Sequence, residues 1–169
     1  AYTPTTSSPI VKYQPKLVTA PVNQPRFDHN PITGESLGLL IEEQRTNLNT
    51  FSAPTGAANG TVFTNSAIAP DGTLTASKFS ADTTTTSHQL RKNISTSNTQ
   101  HTFSVYLKYA EKQYVYLYNN VAVYGHTFDL LNGTLGSTTV GTVSATITDV
   151  GNGWYRCSIT GTNISGTNA

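Results

Sequence analysis

The clearest strand pattern in this sequence is TFSVYLKYAEKQYVYLY, residues 102–118. Its first half alternates an apolar set with a more polar set, which predicts a strand with one face in the core. The predicted core-facing residues are Phe103, Val105, Leu107 and Tyr109. In the second half Val115 and Leu117 alternate with tyrosines, so placing the aliphatic pair in the core turns the tyrosines outward.

The outward tyrosines are the best candidates for a contact surface. Tyr114, Tyr116 and Tyr118 form the predicted row, and we expect Tyr106 to extend it across the sheet. Tyrosine offers a flat apolar ring with a hydroxyl rim, which suits a sugar or a partner subunit. A second interpretation stays open, because tyrosines also favour strands and cover one another across a sheet without any ligand.

The same rhythm of short apolar segments and turn residues runs through most of the chain. Asn59-Gly60, Pro70-Asp71-Gly72 and Asn132-Gly133 mark turns. A long hairpin is predicted from residues 143–150 and 154–160, around Gly151-Asn152-Gly153. This pattern is typical of an antiparallel sandwich or barrel. Trp154, which follows the hairpin turn, is predicted to be a packing anchor.

Composition supports one all-β domain. The chain has 169 residues, 36% hydrophobic and 11% charged, against about 25% charged in ordinary globular chains. Threonine, serine, asparagine and glycine fill the difference and favour strands and turns. The lone cysteine, Cys157, excludes an internal disulfide and is predicted to be a small core residue.

Charge and hydropathy argue against two classes of partner. The net charge is +1 with scattered lysines and arginines, so we expect no nucleic-acid partner. No stretch approaches the roughly 18 apolar residues of a membrane span, and the start AYTP does not resemble an export signal. We therefore expect no membrane insertion, and a protein that acts in the cytoplasm, is released by lysis, or is carried in a particle.

No catalytic or metal motif appears in the sequence. His29, His88, His101 and His126 lack zinc-site spacing, and nucleophile-elbow, P-loop and dinucleotide fingerprints are missing. Neighbouring Glu42 and Glu43 would point to opposite faces of a strand and could not act together on one glycosidic bond, so we interpret Glu43 or Glu42 as an ion-pair partner of Arg45. The sequence predicts a protein that is not an enzyme and holds no metal and no cofactor.

Residues 1–25 are predicted to form an extended, proline-punctuated arm, since five prolines exclude a helix and allow only an edge strand. The arm contains apolar residues that a free tail would not need, which favours docking onto another surface over a flexible terminus. These predicted docking residues are Ile10, Val11, Tyr13, Leu17 and Val18.

Residues 26–50 form a junction between the arm and the β-sandwich domain of residues 51–169. Asp28–Gly34 is predicted to be a turn, and residues 37–41 a short strand. The oxygens of the turn suggest calcium, but Pro31 interrupts the ligand series and the acidic residues are too few.

Four stretches in this order resemble a module that recurs in bacteriophage virion proteins, especially tail and tail-fibre proteins. The first is PRFDHNPITG at 25–34 followed by GLLIEEQRTNL at 38–48. The others are APDGT at 69–73 with ASK at 76–78, TFSVYLK at 102–108, and DVGNGWYRCS at 149–158.

The resemblance covers roughly residues 17–160 and implies a jelly-roll sandwich similar to carbohydrate-binding modules, with no catalytic residue. Members of the module continue into a Trp-Gly-Ala-Gln-Leu-Glu-like closing segment, whereas this sequence ends at Ala169 before one. A sheet without its last strands has an exposed edge, so we expect either a fragment or a neighbouring chain that completes the sandwich. Phage fibres commonly supply such neighbours as trimers.

We therefore expect a non-enzymatic virion structural protein, a fibre or tail-appendage subunit, assembled in the cytoplasm of a bacterial host. Its expected partners are other virion proteins at the arm, two further copies in a homotrimer, and host surface glycan or a sister subunit at the tyrosines. Two alternatives remain: a carbohydrate-binding module of a polysaccharide-active enzyme, and a capsid decoration or head-fibre protein.

Overall fold

A computed structural model describes residues 21, 23–30, 33–41, 46–49, 54, 56–94, 99–120, 123–141 and 144–162. The regular structure within these ranges is entirely β-strand, and every strand pair is antiparallel, which confirms the all-β prediction. The strands are β1 Phe27–His29, β2 Ser36–Leu39, β3 Gly56–Ala58, β4 Gly60–Ala67, β5 Ala76–Ala81, β6 Gln89–Arg91, β7 Gln100–Lys108, β8 Tyr114–Asn119, β9 Tyr124–Asp129, β10 Thr134–Val140, β11 Ser144–Asp149 and β12 Trp154–Thr162.

Two three-stranded sheets form the best packed part of the molecule. One has the order β11-β12-β7 and the other the order β10-β9-β8. Both sheets contribute to a single apolar cluster. Its buried members are Leu117, Tyr124, Phe128, Leu130, Cys157 and Ile159.

The alternation in the sequence places the core correctly on β7 and β8. Phe103, Val105 and Leu107 pack against the buried cluster, as predicted. Tyr109 does not, because β7 ends at Lys108 and Tyr109 is 41% exposed, so that prediction was wrong.

The predicted hairpin around Gly151-Asn152-Gly153 is confirmed as the link between β11 and β12. All three residues have positive φ, which glycine and asparagine tolerate best. The Trp154 amide donates to the Gly151 carbonyl at 3.0 Å, and the Gly151 amide donates to Asp149 Oδ1 at 2.7 Å. The turn therefore satisfies its own backbone.

Three two-stranded sheets complete the described structure: β1-β2, β3-β6 and β4-β5. The β4-β5 hairpin is joined to the β11-β12-β7 sheet through Trp154, whose Nε1 donates to the Ile68 carbonyl at 3.1 Å. Trp154 is buried, as predicted for a packing anchor. In the described ranges no helix is long and apolar enough to cross a membrane.

Several sequence predictions fall outside the described residues. They include the ion pair of Glu42 or Glu43 with Arg45, and the arm residues proposed to dock. Those arm residues are Ile10, Val11, Tyr13, Leu17 and Val18.

Candidate functional site

Tyr114, Tyr116 and Tyr118 form an exposed row on the outer side of β8, which we call the tyrosine face. Val115 and Leu117 alternate with them and point into the core, as predicted. Tyr114 is 60% exposed, and Tyr116 and Tyr118 are each 41% exposed. The tyrosine face is therefore the outer side of a strand whose inner side packs in the core.

Tyr116 and Tyr118 form a stacked pair that lies against the neighbouring strand. Their ring centroids are 5.6 Å apart and their planes differ by 23°. A Cβ added at Gly125 of β9 would lie 2.7 Å from Cζ and Oη of Tyr116. The Tyr116 ring thus rests above Gly125, in space that only glycine leaves open.

Asp129 borders the tyrosine face where it lies opposite Tyr114. Its Oδ1 accepts from the amides of Leu131 and Asn132, and its Oδ2 accepts from Asn132 Nδ2 at 2.8 Å and Gln113 Nε2 at 3.0 Å. Burial raises the pKa of this carboxyl, but the four hydrogen bonds lower it by more than burial raises it. The pKa of Asp129 therefore lies below its ordinary value. Asp129 is therefore an ionised structural group that holds the β9–β10 turn.

Tyr106 is not part of the tyrosine face, so that part of the prediction was wrong. Tyr106 lies on β7, in the other three-stranded sheet, opposite Arg156 of β12. Its neighbours Val105 and Leu107 point into the shared core. Tyr106 consequently faces the opposite side of the molecule from Tyr116.

The outer side of the β11-β12-β7 sheet carries rows of hydroxyl groups that our sequence reasoning did not find. Thr102 and Thr160 hydroxyls are 2.8 Å apart, and those of Thr146 and Ser158 are 2.6 Å apart. The signal was present as Ser-x-Thr-x-Thr in both β11 and β12. Because these hydroxyls bind one another across the strands, the surface is polar and internally satisfied.

The histidines take separate places in the described structure. His126 is buried, its Nδ1 lies 2.9 Å from the Thr127 carbonyl, and its ring centroid is 5.8 Å from that of Phe128. His88 Nε2 lies 3.3 Å from Asp82 Oδ1 in an exposed loop. Across the described ranges, no three histidine, cysteine, aspartate or glutamate side chains are grouped to hold a metal ion.

The turn once considered for calcium uses its oxygens on its own backbone. Asp28 Oδ1 accepts from the His29 amide at 2.9 Å, and Asn30 Oδ1 accepts from the Thr33 amide at 3.0 Å. Gly34 adopts a positive φ of 75°. The predicted capped turn is therefore confirmed at Asn30, Thr33 and Gly34, whereas Asp28 and His29, which were predicted to belong to it, lie in β1.

Comparison with known proteins adds no assignment: no family model matches the sequence, and no curated protein is significantly similar to it.

Proposed function

We propose that this chain is a non-enzymatic structural subunit of a bacteriophage virion, a fibre or tail-appendage protein that binds host surface glycan through the tyrosine face. The observation that carries the glycan part is the exposed, stacked pair of Tyr116 and Tyr118 on a packed sheet. Aromatic rings that lie flat and keep a hydroxyl rim suit the apolar faces and hydroxyls of a pyranose. The virion part is supported by the four-stretch resemblance.

Two structural expectations belong to the same proposal. The antiparallel sheets with a common core suit a jelly-roll sandwich of the carbohydrate-binding type, which we propose as the complete architecture.

The proline-rich arm of residues 1–25 is proposed to dock the subunit onto another virion protein. Deleting residues 1–25 should abolish incorporation into particles, and normal incorporation would contradict this docking.

Glycan binding is tested by probing a glycan array with the full chain. Tyr116→Ala should reduce the signal by at least about 10-fold, because it removes one of two stacked rings. Tyr106→Ala is the matched control, since it removes the same side chain from the opposite side and should leave binding unchanged. Equal signals from both variants, or no binding by the unmodified chain, would contradict glycan recognition.

Virion membership is tested separately, by labelling particles of the encoding phage with an antibody against the chain. Label at the tail or its fibres would support the proposal. Label on the head would instead favour the decoration or head-fibre alternative, and unlabelled particles would contradict both.

A carbohydrate-binding module of a polysaccharide-active enzyme is the second candidate, and the stacked tyrosine pair favours it equally. This candidate predicts a catalytic domain in the same parent polypeptide. It also predicts retention on insoluble polysaccharide, which Tyr116→Ala should abolish.

A further inference from the structure

Within the part of the chain that the structure describes, strand β8 is an open edge of its sheet. Among the described strands it pairs with β9 alone, whereas β10 is the opposite edge. The β9–β10 register shifts twice, which interrupts that edge, but the β8–β9 register runs from Tyr114 to Asn119 without a shift. Segment 114–119, YVYLYN, contains no proline and no charge. Soluble proteins normally blunt a straight, uncharged edge of this kind, or pair it.

The free hydrogen-bonding groups of β8 belong to the three tyrosines. The Leu130 amide donates to the Gln113 carbonyl at 2.8 Å, which marks Gln113 as bonded to the β9 side. Bonded and non-bonded positions alternate in an antiparallel ladder. Tyr114, Tyr116 and Tyr118 therefore direct their backbone N–H and C=O groups away from β9.

The sequence of β8 and its flank is chemically palindromic about Tyr116. Residues 113–119 read QYVYLYN: amide, tyrosine, aliphatic, tyrosine, aliphatic, tyrosine, amide. A two-fold axis through Tyr116 would place each residue opposite one of its own kind, with Tyr114 facing Tyr118 and Val115 facing Leu117 of the other copy. A two-fold interface requires such self-complementarity.

We propose that two copies of this chain pair through β8, antiparallel and centred on Tyr116, to form one continuous six-stranded sheet. Each pair of opposed tyrosines exchanges two backbone hydrogen bonds, which satisfies the groups left open at the edge. Val115 and Leu117 of both copies meet on the core side, and six tyrosines share the outer side. A strand of a different sequence would match the backbone but not this order of side chains.

This inference goes beyond the proposed function and stands whether or not the chain belongs to a virion. It replaces the trimer that the resemblance implies with a dimer at β8, because a strand edge accepts one partner. Failure of glycan binding would leave it intact, since the pairing uses the edge of β8 and the glycan would use its face.

Sedimentation equilibrium of the full chain provides the test, and a dimer is the expected result. In the proposed register, Tyr114→Lys with Tyr118→Glu places opposite charges across the axis and should still dimerise. Tyr114→Lys with Tyr118→Lys places like charges there and should raise the dimer dissociation constant at least about 100-fold. The two double variants differ at one position.

A mixing experiment controls for misfolding of the like-charge variants. An equimolar mixture of the Tyr114→Lys, Tyr118→Lys chain and the Tyr114→Glu, Tyr118→Glu chain should form mixed dimers. A monomeric or trimeric unmodified chain would overturn the proposal. Charge variants that all associate equally, or a mixture that stays monomeric, would overturn it as well.

Discussion

Cys157 shows how burial changes the chemistry of a single residue. It lies between Ile147 and Val105 on the flanking strands and is completely buried, which raises the pKa of its thiol to about 12 from an ordinary 9.0. Between these values the unfolded chain releases a proton that the folded chain keeps. The free energy of unfolding should therefore fall as pH rises above 9, by about 1.4 kcal/mol per pH unit from this group.

Cys157→Ala isolates that contribution, because every other side chain is the same in the two proteins. The variant should be less stable near neutral pH through loss of core packing, yet should lose less stability between about pH 8 and about pH 10. Urea unfolding at both pH values measures the difference. Identical pH dependence in the two proteins would show that the buried thiol does not contribute.

At the scale of a strand, Gly125 determines whether the Tyr116 ring can lie on the sheet. A Cβ at this position would come within 2.7 Å of the ring and would also collide with the Leu117 backbone carbonyl. Gly125→Ala should therefore lower the free energy of unfolding by about 1–3 kcal/mol and weaken glycan binding. Urea unfolding and the glycan array measure the two effects.

Gly56→Ala is the matched control within another strand, β3. A Cβ at Gly56 would meet nothing within 4 Å. The substitution should change stability by less than about 1 kcal/mol and leave glycan binding unchanged. Equal effects of the two substitutions would contradict the packing of Tyr116 on Gly125.

The β7 and β8 strands, their core-facing sides and the β11–β12 hairpin were predictable from the sequence, but the neighbours of strands that no tight turn joins were not. Alternation identifies which side chains share one face of a strand, and it placed Val105, Leu107, Val115 and Leu117 in the core. It does not specify whether the next strand lies alongside or crosses to the second sheet. The chain crosses between β7 and β8, so Tyr106 and the tyrosine face are separated. Gly125 beneath Tyr116 was the missed signal, since a glycine inside a strand marks close approach.

At the scale of the whole molecule, Trp154 joins parts that the sequence could not place together. Its neighbours Tyr155 and Cys157 belong to the shared core, while its own indole contacts the segment that follows β4. The sequence predicted that Trp154 is an anchor because it follows a tight turn. Its partner, the carbonyl of Ile68, lies 86 residues earlier and has no side-chain signature.

Trp154→Phe should loosen the β4-β5 hairpin selectively, because it keeps an aromatic ring but leaves the Ile68 carbonyl without its donor. The expected cost is about 1–3 kcal/mol, with the loss of amide hydrogen-exchange protection concentrated in β4 and β5 and smaller in β9. Glu111→Gln weakens another link to this hairpin, the ion pair with Lys78, and should change little because both side chains are exposed. If Trp154→Phe reduced protection equally in all strands, the indole would support the fold as a whole and would not act as a specific link to the hairpin.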